Sequence, residues 1–178
     1  MTWTVTRRIE IDAGHRIMTH GSKCRHIHGH RYAIEATATS AFLHETGEQT
    51  DMAVDFGFLK AAMMDAIDEP CDHGFIAAHT DTELLEMFAP PGHAGSWADE
   101  TGTAVRSQGW LLTTATRLGT KLYIVPFQPT AERLARHWFE RLAPLVIQRS
   151  DGVARLSRIA VWETPNCRAD YAPAGEEG

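Results

Sequence analysis

The chain has 178 residues, an ordinary apolar share and a net charge of −6, enough to bury one domain's core and without the basic footprint of a nucleic-acid binder. Its cysteines, Cys24, Cys71 and Cys167, are odd in number and unpatterned, which argues against a disulfide framework. No apolar run approaches membrane-spanning length and the first twelve residues read as a strand rather than a signal peptide, so a cytoplasmic protein is expected.

Residues 3 to 12 alternate at period two, with Trp3, Val5, Ile9 and Ile11 on one parity, and predict a half-buried first strand. Ala13-Gly14-His15 closes it, and a polar loop leads to Lys23-Cys24-Arg25-His26-Ile27-His28-Gly29-His30. Five of the ten histidines lie between residues 15 and 30, too dense for scattered surface or core histidines. On a strand, His28 and His30 share a face, roughly 6.5 to 7 Å apart. That spacing lets both imidazoles reach one ion at the roughly 2.0 to 2.1 Å nitrogen–zinc distance. Gly29 between them allows close backbone approach. His26 has the same parity but lies about 13 Å from His30 along a regular strand, too far for a compact tripod. His15, at the end of the neighbouring strand, is the candidate third ligand. Arg16, Lys23, Arg25 and Arg31 either hold an anionic substrate or form a solvated basic patch.

A second strand is expected from about residue 30 to 42, followed by a polar loop to Asp51. A helix then runs from Asp55, its N-cap, to about Glu69, with Phe56, Leu59, Met63, Ala66 and Ile67 as its core stripe. Cys71-Asp72-His73 follows. A carboxylate beside an imidazole can orient it for acid–base work, although adjacent residues taken alone read first as a surface loop pair. Residues 77 to 128 suggest a short acidic helix (79–91), a Gly-, Ser- and Thr-rich loop to Gln108, and strands 110–115 and 121–127 forming a hairpin. A second long helix starts at Pro129-Thr130-Ala131-Glu132, with Thr130 as N-cap, Glu132 in the first turn, and Leu134, Trp138, Leu142 and Leu145 inward. In the strand 156–163, Glu163 continues the parity of Ile159 and Val161. It either faces inward with a ligand as partner or is a solvated edge glutamate. Residues 167–171 suggest a last strand, and the tail 173–178 is expected to be disordered.

The order strand, strand, helix, helix, strand, strand carries Ala13-Gly14-His15, Cys24-x3-His28-Gly29-His30, Asp72-His73, Pro129-Thr130-x-Glu132 and Trp162-Glu163-Thr164. Together these resemble the 6-pyruvoyl-tetrahydropterin synthase / 6-carboxy-tetrahydropterin synthase family over about residues 3–76 and 121–171. The resemblance implies an α+β tunnelling fold: a four-stranded antiparallel sheet with two helices on one face (ββααββ), here with an insertion at about 77–128 between the helices, in a single domain 1–178. It implies trimers joined edge to edge and stacked as a homohexamer with active sites at subunit interfaces, and no membrane or nucleic-acid partner. It further implies Zn2+ on His15, His28 and His30, a catalytic thiol at Cys24 and an acid/base unit at Asp72 and His73. Glu163 matches the pterin anchor, and Thr130 and Glu132 the segment lining the same pocket.

The step of four residues from Cys24 to His28 matches the carboxy-tetrahydropterin branch. The implied activity is a carbon–oxygen lyase that converts 7,8-dihydroneopterin triphosphate to 6-carboxy-5,6,7,8-tetrahydropterin for queuosine biosynthesis. The 6-pyruvoyl product, or pterin and metal binding without turnover, are the alternatives. The chain departs from the family at Gly14, at Asp51, where glycine is usual, and in the length of residues 77–120.

Overall fold

The computed structural model describes residues 1–174; the last four residues of the tail expected to be disordered lie outside them. Among the described residues, seven strands and five α-helices follow one another. They are β1 (Trp3–His15), β2 (His28–Ser40), α1 (Phe56–Met63), α2 (Glu69–Cys71), β3 (Gly74–Ala78), α3 (Thr82–Phe88), α4 (Trp97–Gln108), β4 (Leu111–Thr113), β5 (Leu122–Val125), α5 (Ala131–Arg149), β6 (Arg155–Thr164) and β7 (Cys167–Tyr171). The sheet order is β4-β5-β3-β1-β2-β6-β7. Two compact units are defined, one of residues 1–10, 32–69 and 134 onward, the other of Ile11–Arg31 and Pro70–Arg133.

The α+β class holds, and the sheet differs from the four-stranded antiparallel expectation. β1, β2, β6 and β7 are the four expected strands, with β2–β6 and β6–β7 antiparallel. Beyond β1 come three more, and the β1–β3 and β3–β5 pairs are parallel. The physical reason lies in residues 75–78 and 122–125, Phe-Ile-Ala-Ala and Leu-Tyr-Ile-Val, which are buried at every position. A strand covered on both faces shows no alternation, so a period-two pattern does not reveal β3. The expected hairpin is β4–β5, paired antiparallel at Leu111–Thr113 with Ile124–Leu122.

In the second unit, Phe75, Ala77, Leu122 and Ile124 form a core with Leu84 and Leu85 of α3 and with Trp97, Ala98 and Val105 of α4. Residues 97–108, expected as loop, are helical because Trp97, Ala98, Thr101 and Val105 fall on one face and are buried. Gly109, at φ 83°, ends the helix in the left-handed conformation that glycine adopts at little cost.

In the first unit, Asp55 caps α1 by accepting from the amides of Gly57 and Phe58. Leu59, Met63, Ala66 and Ile67 are buried as expected, whereas Phe56 is exposed. The helix widens into one π turn over Met64–Asp68 before Pro70. At the other long helix, the Thr130 hydroxyl accepts from the Arg133 amide at 3.4 Å, the expected cap of α5. Leu134, Trp138 and Leu142 are buried, and Val146 is buried where Leu145 is only half so.

Candidate functional site

β1 ends on His15 and β2 begins on His28, and the expected tripod is assembled there. Among the described residues, His15, His28 and His30 form the group whose ligand atoms converge, all within 4.8 Å of one another. His15 is 2% exposed, while His28 and His30 are half-buried. The Nε2 atoms of His15 and His28 are 3.1 Å apart, close to the roughly 3.3 Å between two nitrogens on a tetrahedral ion at 2.0 to 2.1 Å. Each ring is held through its other nitrogen: His15 Nδ1 donates to the Pro129 carbonyl at 2.9 Å and His28 Nδ1 to the His26 carbonyl at 2.7 Å. With the proton on Nδ1, both Nε2 lone pairs point into one small space, which a cation relieves and which sets the tautomer a metal needs. Burial, offset in part by the Pro129 hydrogen bond and reinforced by His28 and His30, lowers the His15 pKa to about 4. Burial and His28 lower that of His30. The residues therefore fit a metal ion.

Gly29 and Gly14 permit the approach. A Cβ on Gly29 would lie 3.0 Å from the Ala13 carbonyl, and one on Gly14 would lie 2.6 Å from the Phe75 ring. Phe75 is Gly14's register partner in β3, so a side chain at residue 14 would meet the Phe75 ring. Beside His30 opens a shallow cleft of about 410 Å³, lined by Asp12, Ala13, Gly14, Gly29, His30 and Arg31.

Cys24 sits in a short 3-10 turn, Lys23–Arg25, and is a partly exposed free thiol. Its carbonyl accepts from the Ile17 amide at 2.8 Å, which ties the thiol's turn to the chain two residues past His15. Of the four basic residues expected to form a cluster, Arg16 forks onto Asp81 and Arg31 onto Asp12.

Asp72 and His73 are a true pair rather than a loop coincidence, with His73 Nδ1 2.6 Å from Asp72 Oδ2. The other carboxylate oxygen accepts from the Asp12 amide at 2.8 Å, and the His73 amide donates to the Asp12 carbonyl at 2.8 Å. The Lys121 ammonium donates to the Asp72 carbonyl at 2.8 Å. These bonds hold His73 at φ 54°, a left-handed conformation uncommon for a side-chain-bearing residue. Partial burial works to raise the Asp72 pKa, but the hydrogen bonds from Asp12 and His73 outweigh it and keep the carboxyl below its ordinary value.

Thr130 and Glu132 flank the N-terminus of α5, directly after the Pro129 carbonyl that orients His15, and Glu132 is exposed. Glu163 belongs to the other compact unit and is half-buried on β6. There Trp162 pairs with Arg168 and Thr164 with Cys167, so the ladder takes two steps on β6 against one on β7. A bulge at Glu163 breaks the alternation on which its facing was argued, and bulges re-aim side chains beside active sites.

The sequence profile of 6-pyruvoyl tetrahydropterin synthase matches residues 4–174. The chain belongs to the 6-pyruvoyl tetrahydropterin synthase family. Membership makes it an enzyme of that family's lyase type. A protein of Rickettsia bellii named 6-carboxy-5,6,7,8-tetrahydropterin synthase is 33% identical over 91% of this chain and 94% of its own. One of Haemophilus influenzae with the same name is 28% identical over 94% and 96%. Among solved structures, an uncharacterised protein of Wolinella succinogenes superposes with a TM-score of 0.72 at 22% identity, covering 98% of this chain and 99% of that one. Plasmodium vivax 6-pyruvoyltetrahydropterin synthase gives 0.59 at 12% identity, covering 96% and 97%. Both share the fold.

For this member of the 6-pyruvoyl tetrahydropterin synthase family, sequence reasoning missed the two carbonyls that orient the ligands. His26, weighed as a ligand, contributes its carbonyl instead, and its place two residues before His28 was the available signal. Nothing local marked Pro129, which is 114 residues from His15. The family's usual glycine at residue 51 is explained as well: Asp51 has φ 62°, a conformation that aspartate tolerates better than most residues. Among the described residues no helix is long and apolar enough to cross a membrane.

Proposed function

We propose that this protein is a zinc-dependent lyase that converts 7,8-dihydroneopterin triphosphate to 6-carboxy-5,6,7,8-tetrahydropterin, releasing acetaldehyde and triphosphate, in queuosine biosynthesis. It would act as a single cytoplasmic domain assembled into the family's hexamer. The observation that carries the reading is the His15/His28/His30 cluster, whose ring nitrogens converge while backbone carbonyls hold two of the rings by Nδ1. The names of the relatives support the carboxy product. An apolar groove of about 290 Å³, lined in part by exposed Trp3, Met52 and Phe56, supports a second copy against the first unit.

Bound at the tripod, zinc supplies Lewis acidity toward the substrate's side-chain hydroxyls. Cys24, partly exposed, takes a proton from the substrate side chain as its thiolate and becomes the thiol. His73 moves protons at Nε2 while Asp72 receives its Nδ1–H and steadies the charge that develops. Glu163 accepts hydrogen bonds from the pterin amino and ring N–H groups, and its bulge is the local device that aims it. Thr130 and Glu132 are further pterin-binding residues. The ring is reduced at the side chain's expense, so neither nicotinamide nor flavin takes part.

Mass spectrometry of the zinc-loaded protein with 7,8-dihydroneopterin triphosphate tests the proposal. Acetaldehyde appearing with the carboxy-pterin is the expected result. Pyruvoyl-tetrahydropterin without acetaldehyde would assign the sister reaction, and uptake of zinc and pterin with no substrate consumed would leave a binding protein.

A further inference from the structure

We propose that the insertion is a working part of the metal centre and that Asp81 is a positioning residue, acting on His15 through Arg16. The proposal rests on the metal reading above and adds to it a function for a segment that the compact family pattern lacks.

His15 is the last residue of β1, where a strand end has no further ladder to hold it. Three ties hold it there, and each comes from the insertion or its immediate borders. Ile76 of β3 is His15's register partner. The Pro129 carbonyl, one residue past the insertion, receives the His15 Nδ1–H. The very next residue, Arg16, donates Nε and Nη2 to the two carboxylate oxygens of Asp81. Holding that guanidinium limits how the backbone at His15 can turn, and a bidentate fork fixes direction as well as distance.

Asp81 is itself tied on several sides. It is 2% exposed, its amide donates to the Ala78 carbonyl, and its carbonyl and carboxylate accept from the amides of Leu85 and Leu84 at the start of α3. A carboxylate buried this far is costly unless paired, and a hydrophobic pair would stabilise the fold at least as well. Its return is therefore geometric. Metal ligands must be held to within about half an ångström, and residues that orient ligands typically alter metal affinity by about 10- to 100-fold.

The test compares zinc affinity, measured by chelator competition, with thermal stability across a small set of variants. Asp81→Asn keeps the Oδ1 acceptor for α3 and replaces the oxygen that accepts from Arg16 Nε by a donor, which removes both the charge and the fork. Arg16→Lys keeps the charge and removes the fork. Val105→Ala, in the buried core of α4, weakens the same segment without touching the tie. The expected result is zinc binding about 10- to 100-fold weaker in Asp81→Asn, weaker also in Arg16→Lys, and close to parental in Val105→Ala despite its lower melting temperature. The visible d–d bands of the Co2+-loaded protein should shift in the first two variants and not in the third. Parental zinc affinity in folded Asp81→Asn or Arg16→Lys would overturn the proposal, as would an equal loss in Val105→Ala, because affinity would then follow stability alone. Parent protein that takes up no zinc would instead defeat the metal reading, and His28→Ala, which should lose the ion outright, reports on that reading alone.

Discussion

Replacing Asp72 by asparagine separates orientation from scaffolding at the proposed acid–base pair. In Asp72→Asn, the amide oxygen can still accept from the Asp12 N–H, which now bonds at 2.8 Å. The new NH2 group then faces His73 Nδ1, 2.6 Å away in the parent. Two donors cannot meet there, so the imidazole must present a lone pair at Nδ1 and carry its proton on Nε2, the wrong tautomer for a base at Nε2. The His73 side chain is 78% exposed, so the lost pair costs about 1 kcal/mol or less of stability. In a chain of this length that is a fall of roughly 2–4 °C in Tm at most. The kinetic loss is larger, since a positioned acid–base group contributes about 10²- to 10⁴-fold. Steady-state acetaldehyde formation should therefore show kcat reduced by about 100-fold or more, or at least 2.7 kcal/mol of barrier, with KM and bound zinc unchanged. A kcat within about threefold of the parent, less than 1 kcal/mol of barrier, would refute the reasoning and leave Asp72 as a latch on the Asp12 backbone.

Cys24→Ala should keep zinc and pterin binding and lose about 10²- to 10⁴-fold in turnover; near-parental turnover removes Cys24 from the chemistry. Glu163→Gln should weaken pterin binding by about 2 to 5 kcal/mol, without lowering the Tm of the apo protein. Unchanged affinity in a titration would sink the anchor role. The metal-free protein should lose stability as pH falls from about 6.5 to about 4. Over that window the unfolded chain binds a proton that folded His15, with its pKa lowered to about 4, refuses. The ceiling is about 3 kcal/mol, and pH-dependent melts of parent and His15→Gln should differ by that slope; parallel curves would contradict it. Asp51→Gly should raise the Tm by roughly 2–4 °C, because glycine relieves about 1 kcal/mol of left-handed strain at φ 62°. No gain would mean that the turn's hydrogen bonds already compensate for it.

Local periodicity and spacing determined what depended on near neighbours. The alternation of Val5, Ile9 and Ile11 marked a strand that His15 closes, and the two-residue step put His28 and His30 on one face, so the three histidines that cluster were legible before any coordinates. Asp55 and Thr130 announced their helices because a cap bonds to amides two or three residues away. Tertiary structure alone decided what depended on partners far along the chain or on burial from both sides. β3 carries no alternation because both its faces are covered, and α4 reads as loop until Trp97 and Val105 have a core to enter. Glu163's facing could not follow from parity once β7 imposed a bulge at that residue. Whether Asp72 and His73 met was likewise a matter of Asp12, 60 residues earlier, whose amide and carbonyl hold both in place. The same holds for Arg16 and Asp81, separated by 65 residues, whose pairing depends on how the chain between them folds.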